Sequence, residues 1–368
     1  MTIETEELDA AVTAGVLPQT QADALRAFVA ERRRTQLTQI VQEDERFRFM
    51  SGFNDFFFAV GVLLLGFGIA FFTGGEMIPS LIAALIMWAL SELLVRRMRL
   101  VLPGILLSLF FIFFVYLTVP LDFSTLASQQ IPRGPGTGFS IVNILGLSGA
   151  PFAVAVKALI GTAAAGLYYW RFRLPFALLP IAASLVLAIV SLVMIGTGPL
   201  PATAQALVIL ACGLAVFAAA MSFDISDRDR MTRRSDCAFW LHLLAAPLIV
   251  HSLIALVTPS VVEVTNDVAL AIIAIVAGLA VVAIAIDRRA LLVSALIYLG
   301  FVIAYAIGGP AAWLARSPMQ GMVFFATLVI LGAFVITLGI GWLPLRRRMI
   351  PLMPPSIAGR LPPVPKRA

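Results

Sequence analysis

The chain contains only two histidines, His242 and His251, and both lie in one apolar run. Histidine changes charge near neutral pH, so either ring could carry a proton. Nine residues at about 100° each place the two rings on nearly opposite faces of a helix, so they cannot share a metal ion or a haem. A single histidine in a helical bundle more often makes a structural hydrogen bond. We expect His242 to point into the bundle and to bond to another helix.

The densest group of charges comes directly before His242. It comprises Asp224, Asp227, Arg228, Asp229, Arg230, Arg233, Arg234 and Asp236. Asp224 precedes Arg228 by four residues, and Asp229 precedes Arg233 by four, which predicts ion pairs on a helix extending beyond the apolar run. Acidic residues contribute little to membrane orientation. Most such clusters are solvated topological anchors, and the number of acids leaves a functional role for this segment open as the alternative.

Two further side chains belong to this group of candidates. Trp240 shares a helix face with Asp236 by its i,i+4 spacing, and a tryptophan at this position is typical of an interfacial anchor. Glu92 lies four residues before Arg96, which predicts a local ion pair. The alternative for Glu92 is a carboxylate that carries protons.

Sequence signatures of known catalysts are missing from the chain. It has no Walker A, GxSxG, HExxH or CxxC sequence. Its two cysteines, Cys212 and Cys237, offer neither a disulfide framework nor the spacing of a metal site. We therefore expect no enzymatic activity, no catalytic residues, no cofactor and no metal.

Ten long apolar runs must position these residues. They span residues 56–73, 77–95, 101–119, 152–170, 175–196, 203–222, 238–257, 268–286, 291–308 and 321–343. Each has about the ~20 residues that a helix needs to cross a hydrocarbon core. Hydrophobic residues make up 61% of the chain and charged residues 12%, about half the charge usual in soluble proteins. The sequence predicts an all-α polytopic transmembrane bundle of about ten spans.

Basic residues orient these runs. All but three of the 26 Lys and Arg residues fall on the side that holds residues 1–55, the exceptions being Arg133, Lys157 and Arg316. The positive-inside rule then places both termini in the cytoplasm. Lys157, near the outer end of the fourth run, is expected to snorkel towards the surface. This topology accounts for the net charge of +6, so we expect the lipid bilayer and no nucleic acid as a partner. Abundant Arg and Ala with only two Lys suggest a GC-rich bacterial genome and hence the inner membrane.

Segments outside the runs complete the predicted organisation. Residues 1–55 are expected to form a cytoplasmic helical hairpin and an interfacial approach, with a break around Gly15 and Pro18. Leu8 and Val12 are expected to face Leu25, Phe28 and Val29. Residues 56–343 form the bundle. Residues 344–368 are rich in proline and lack apolar periodicity, which predicts a disordered cytoplasmic tail.

Two segments resemble known proteins. Residues 7–33, ELDAAVTAGVLPQTQADALRAFVAERR, and residues 234–254, RSDCAFWLHLLAAPLIVHSLI, are similar to segments of uncharacterised bacterial inner-membrane proteins. Those families carry a short helical hairpin ahead of a multi-span region and have no assigned activity. The resemblance implies a membrane location and no catalysis.

Two functions from different classes fit these observations. One is a carrier for a small or weakly polar solute, which the ten-span bundle favours and the scarcity of charges within the spans disfavours. The other is a non-catalytic sensor or scaffold that acts through the N-terminal hairpin and the 224–240 loop, with a protein partner at the hairpin. A polar cavity near the midplane would distinguish the carrier from a scaffold packed without water.

Overall fold

A computed structural model of the chain describes residues 12–16, 18–25, 27–28, 53–74, 76–119, 150–257, 266–308 and 318–363. The regular structure within these ranges is helical, with no strand. Contacts divide the chain into two compact units, of which the larger is Phe49–Pro362. The larger unit carries the apolar helices and the charged segment that precedes His242.

Ten long helices form the described part of the larger unit. They are α1 (Phe53–Thr73), α2 (Met77–Ser91), α3 (Val101–Leu117), α4 (Pro151–Phe172), α5 (Leu178–Thr197), α6 (Ala202–Ser226), α7 (Arg233–Val257), α8 (Asn266–Ile286), α9 (Ala290–Gly308) and α10 (Pro318–Met349). A π-helical segment, Glu92–Arg97, continues α2, and a 3-10 turn, Pro175–Ala177, leads into α5. After α10 come a 3-10 turn, Ile350–Leu352, and a short helix α11, Pro355–Ala358.

Nine of these described helices are long and apolar enough to cross a membrane. The remaining long helix, α3, has 17 residues, which at 1.5 Å per residue reach about 25 Å. That length is close to the lower limit of a transmembrane helix. The chain is therefore a multi-pass helical membrane protein, and the count of ten spans stays a prediction.

Tight turns join α2 to α3, α4 to α5, α6 to α7 and α8 to α9. Each turn contains a residue other than glycine in the left-handed conformation: Arg99 (φ 58°), Arg173 (φ 52°), Arg230 (φ 54°) and Asp287 (φ 58°). A left-handed residue after the last helical turn ends a helix and reverses the chain. These four connections therefore form helical hairpins.

The four turns lie at one end of the bundle. Arg171, at the end of α4, lies 2.8 Å from the carboxylate of Glu92, which follows α2. Phe176 packs edge-on against Trp240 of α7, with ring centroids 4.7 Å apart. Arg230, in the α6–α7 turn, contacts Asp287 in the α8–α9 turn. We call this end, together with the end of α10 at Met349, the basic end.

The first five helices share an aromatic core. Trp88 of α2 packs against Phe111, Tyr168 and Phe172. The Tyr168 hydroxyl donates to Ser91 Oγ at 2.9 Å, so this buried polar atom is satisfied across two helices. Helices α6 to α10 form separate apolar clusters, one of which surrounds the basic end at Ala246, Leu291 and Trp342.

Gly161 of α4 allows a close approach of α3. A Cβ atom at this position would overlap the ring and hydroxyl of Tyr116, whereas a Cβ at Gly166 of the same helix would meet nothing within 4 Å. We expect Gly161→Ala to lower the free energy of unfolding by about 1–3 kcal/mol through overpacking. Gly166→Ala should leave it unchanged or raise it by up to about 1 kcal/mol through helix propensity. Thermal unfolding in detergent measures both, and equal stability of the two variants would contradict this packing.

The N-terminal unit is described only in part. Residues 14–16 break the helix with Gly15 at φ 70°, and residues 19–25 are helical, as the Gly15–Pro18 break requires. Phe28 is 60% exposed and does not show the packing expected with Val12. Leu8 and Val29 lie outside the described residues, so the hairpin stays a prediction.

The tail differs from the expected disorder over residues 344–363. Helix α10 continues past Pro344 to Met349, and α11 follows it. Leu361 is 5% exposed and packs in the apolar cluster with Trp342. The prediction for this part was wrong because it considered periodicity alone, whereas one buried leucine and carbonyl contacts are enough to hold an irregular segment. Residues 364–368 lie outside the described ranges.

Candidate functional site

Asp224 joins three elements at the basic end. It lies in the last turn of α6 and is 3% exposed. Its Oδ2 atom lies 2.9 Å from Nε2 of His242, a fully buried residue of α7. Arg288, in the α8–α9 turn, donates through Nε to the same oxygen at 3.2 Å and through Nη2 to Oδ1. The expected bond from His242 to another helix is therefore confirmed.

Arg288 is 2% exposed and satisfies several acceptors. Besides Asp224, its Nη2 atom donates to the backbone oxygen of Ser235 at 3.1 Å and to Ser235 Oγ at 3.2 Å. The planar guanidinium matches a carboxylate with two parallel bonds and still has donors left for α7. One side chain thus connects α6, α7 and the α8–α9 turn.

The bonding of Asp224 determines how His242 is protonated. A carboxylate held by a guanidinium can only accept, so Nε2 of His242 donates to it. The Nδ1 atom of His242 is buried and has no partner among the described residues. Phe217 of α6 packs edge-on against the imidazole with centroids 5.2 Å apart. The ring is therefore held in one orientation by one bond and by apolar packing.

Asp287 joins a second set of groups. Its carboxylate accepts from Trp342 Nε1 at 2.7 Å and from Arg230 Nη1 at 3.2 Å, and it lies 3.6 Å from Arg346 Nη1. Arg230 also donates to the backbone oxygens of Ile286 at 3.2 Å and Asp287 at 2.7 Å, which end α8. A cation at the carbonyl end of a helix is favourable because those oxygens carry partial negative charge.

The two sets are neighbours in the chain, because Asp287 and Arg288 are consecutive. Asp287 occupies the left-handed position, and Arg288 N donates to the backbone oxygen of Ala283 at 2.9 Å, which closes the end of α8. We name the two sets together the charge network. Its members are Asp224, Arg230, Ser235, His242, Asp287, Arg288, Trp342 and Arg346.

Helix α6 extends beyond the apolar run, as predicted, but too short a distance to carry the predicted pairs of Asp224 with Arg228 and of Asp229 with Arg233. The helix ends at Ser226, and Asp227 accepts from the backbone N–H groups of Met231 at 3.1 Å and Thr232 at 2.9 Å. An aspartate that bonds nearby backbone N–H groups favours a turn over a helix. Asp224 is instead directed to His242 and Arg288, and the predicted Asp224–Arg228 pair is replaced by these contacts.

The C-terminal segment adds backbone acceptors to the charge network. Arg228 donates through Nε and Nη2 to the backbone oxygen of Leu361 at 3.2 and 3.1 Å. Arg346, which is 1% exposed, donates to the backbone oxygen of Pro362 at 2.6 Å. Three arginines of the charge network, Arg230, Arg288 and Arg346, therefore pair with two carboxylates, and each also donates to a backbone carbonyl.

The other predicted residues lie apart from the charge network. Glu92 makes the expected pair with Arg96 at 3.3 Å and a second one with Arg171. Trp240 is half-buried and packs on Phe176 rather than standing as an isolated anchor. Asp229 and Arg233 are exposed, and Asp236 is half-buried. Glu92 and Trp240 join helix ends, whereas Asp229 and Arg233 face outwards. These residues therefore do not form a single site.

His251 and Lys157 complete the comparison with the sequence. His251 is exposed on α7, with Nδ1 2.6 Å from the hydroxyl of Tyr298 on α9, so the two histidines do face different ways. Lys157 is 6% exposed, which contradicts the expected position near the surface. Its helix face packs inside the bundle, where an ammonium cannot reach solvent freely.

The sequence did not reveal that Arg288 pairs with Asp224, nor that Asp287, Trp342 and Arg346 form the second set of the charge network. One signal was available: Asp287 is the single acid in the turn between two apolar runs, and Trp342 precedes Arg346 by four residues. An isolated acid beside a span is costly unless paired, so it identifies a candidate partner for distant arginines.

We expect His242→Ala to lower the free energy of unfolding by about 1–3 kcal/mol, because a buried hydrogen bond and ring packing are lost. His251→Ala is the matched control on the same helix, and it should change stability less since His251 is exposed. Thermal unfolding in detergent gives both values. A His242→Ala variant as stable as wild type would contradict the assigned contact.

Among the described residues, no group of three or more His, Cys, Asp or Glu side chains is placed to hold a metal ion. The site consists instead of paired charges that tie helix ends together. Comparison with protein-family models, curated proteins and solved structures finds no match to this chain.

Proposed function

We propose that this protein is a non-enzymatic carrier for a small solute, and that the charge network closes one side of it. The observation that supports this function is the pair of buried carboxylates, Asp224 and Asp287, each bridging groups from separate helices at the basic end. By the positive-inside rule this end faces the cytoplasm, with both termini on the same side of a bacterial inner membrane.

Buried ion pairs are a poor means of gaining stability, because desolvation offsets most of the attraction between the charges. Their better attested use is to specify one arrangement of the elements they join. In a carrier, one side must close while the other opens, mostly by rigid movement of helices. Side-chain contacts between helix ends can separate and re-form without breaking the backbone bonds of any helix.

The positions of the contacts suit such a closure. Arg288 and Asp287 lie in the α8–α9 turn and hold α6 and α7 through Asp224, Ser235 and His242. The same turn holds α10 through Trp342 and Arg346. Parting this turn from its neighbours would release the ends of α6, α7 and α10 at once, while α1 to α5 keep their own aromatic core.

The second candidate is a sensor or scaffold that stays closed. It is favoured by the C-terminal segment, whose Leu361 and Pro362 carbonyls pack against Arg228 and Arg346. In this function, the exposed Asp229, Arg233 and Arg234 would offer a surface to a protein partner. A permanently closed basic end distinguishes this function from the carrier.

Alkylation of Cys237 tests the closure. Cys237 is 5% exposed at the start of α7, two residues after Ser235, while Cys212 is 9% exposed in the middle of α6 and serves as the internal reference. The full chain in vesicles is treated with a water-soluble maleimide from the arginine-rich side, and each cysteine is followed by mass spectrometry. A carrier should show slow alkylation of Cys237 in wild type and a several-fold faster rate in Asp287→Asn.

The reference residue separates opening from unfolding. Cys212 should keep its low rate in both proteins if the bundle stays folded. The carrier would be contradicted, and the scaffold favoured, if Cys237 were not alkylated in wild type and its rate did not rise in a folded Asp287→Asn variant.

A further inference from the structure

Lys157 is a buried cation far from the charge network. It lies 14 residues before Arg171, or about 21 Å along α4, and Arg171 is bound to Glu92 at the basic end. Lys157 is therefore displaced towards the opposite end of the bundle. It is 6% exposed, and among the described residues it has neither an ion pair nor a hydrogen bond.

Hydroxyl groups lie near the level of Lys157 on the adjacent helices. Helix α5 returns antiparallel to α4 through a turn centred near Leu174, so Ser191 of α5 reaches the same depth as Lys157. Ser191 is 4% exposed. One turn further along α4, Gly161 lies against Tyr116 of α3, whose hydroxyl is 2.9 Å from Ser184 Oγ.

Several apolar residues close to Lys157 in the sequence or at a similar depth are buried. Ala153, Val154 and Ala158 on the same helix are each at most 5% exposed, and so is Ala188 of α5. An isolated ammonium in such a place is costly, and ionisable groups inside a membrane bundle mark binding sites or ion pathways more often than surface groups do. A bound anion would offset that cost directly.

We propose that Lys157 binds the carboxylate of a small monocarboxylate whose apolar part lies against the alanine and valine side chains. A single lysine balances one negative charge, so a dianion would leave charge uncompensated. Hydroxyl groups such as that of Ser191 supply additional donors. The assignment of this anion as the transported solute rests on the proposed carrier function, whereas its binding does not.

Chemical modification of lysine can test this site, because the chain contains only two lysines. Lys157 and Lys366 are the only lysine side chains, so Lys366 serves as a reference within the same molecule. The full chain in liposomes is methylated with formaldehyde and a borane reductant, and the rate at each lysine is measured by mass spectrometry. Sodium butyrate, sodium chloride and butanol are compared at equal concentration.

We expect butyrate to slow methylation of Lys157 several-fold and to leave Lys366 unchanged, with no protection by butanol. Ser191→Ala should weaken the protection while keeping the protein folded. Equal protection by chloride would overturn the assignment to a carboxylate. A Lys157 that butyrate does not protect, or that never reacts even without butyrate, would overturn the site itself.

Uptake of labelled butyrate into the same liposomes separates this inference from the carrier. Protection of Lys157 without any uptake would contradict the carrier and leave the binding site in place. Uptake that is unchanged in Lys157→Met would contradict the site and leave the carrier in place. Protection of Lys157 in the unchanged protein, together with loss of uptake in a folded Lys157→Met variant, is the expected result.

Discussion

Asp224→Asn is expected to lower the free energy of unfolding by about 3–5 kcal/mol, which is typical of leaving a buried charge without its partner. The amide keeps the size of the carboxylate and removes its charge. Arg288, at 2% exposure, then has only Ser235 and a neutral oxygen to accept its hydrogen bonds. Both the guanidinium and His242 lose the group that orients them.

Asp229→Asn is the control for this substitution. Asp229 lies five residues further along, in the α6–α7 turn, and has the same charge, but it is exposed. Unfolding of the two variants in detergent, followed by heat or denaturant, should show a large loss for Asp224→Asn and little change for Asp229→Asn. Similar small effects for both would mean that Asp224 does not hold a buried guanidinium.

Asp287→Asn is the second substitution with a large expected effect, again about 3–5 kcal/mol of lost stability. It leaves two arginines, Arg230 and Arg346, close together without the carboxylate that separates their charges. Asparagine tolerates the left-handed conformation of this position, so the backbone turn is not the cause of the loss. The loss of stability is limited because backbone carbonyls still accept hydrogen bonds from Arg230 and Arg346.

Asp267→Asn is the matched control, because Asp267 is an exposed aspartate in the first turn of α8, the helix that Asp287 directly follows. Denaturant unfolding of both variants gives the comparison. If Asp267→Asn destabilised the protein as much as Asp287→Asn, the loss would reflect the charge of α8 in general and not the contacts of Asp287.

The membrane helices could be predicted because apolar length and the distribution of arginine depend on local sequence alone. The direction of His242 could also be predicted, since helical geometry separates it from His251 and only one of two opposite faces can point inwards. Both properties are set within one helix. No knowledge of the neighbouring helices was needed for them.

The partners of Asp224 could not be predicted in the same way. Arg288 lies 64 residues further along the chain, and only the packing of α8 against the α6–α7 hairpin brings it near. A local i,i+4 pair with Arg228 is worth about 0.2–0.5 kcal/mol, which is too little to compete with a buried bidentate pair. The side chain of Asp227 then ends the helix on which the local pairs would depend.

The structures of Lys157 and of the C-terminal segment also depend on contacts between distant parts of the chain. The burial of Lys157 follows from the packing of α3 and α5 around α4, which composition does not indicate. Leu361 is held by contacts with residues more than a hundred positions earlier, such as Arg228. Such contacts appear only once the fold brings these segments together.

A distance measurement across the basic end tests the central claim most directly. Spin labels are placed by Asp229→Cys in the α6–α7 turn and Arg348→Cys at the end of α10, both exposed, in a Cys212→Ala, Cys237→Ala background. Electron-spin distance measurements in lipid discs should give one narrow distribution for this protein. Adding Asp224→Asn and Asp287→Asn should broaden the distribution and shift it to longer distances. A distribution that stays narrow and unshifted in the folded variant would contradict the claim that these two carboxylates hold the basic end closed.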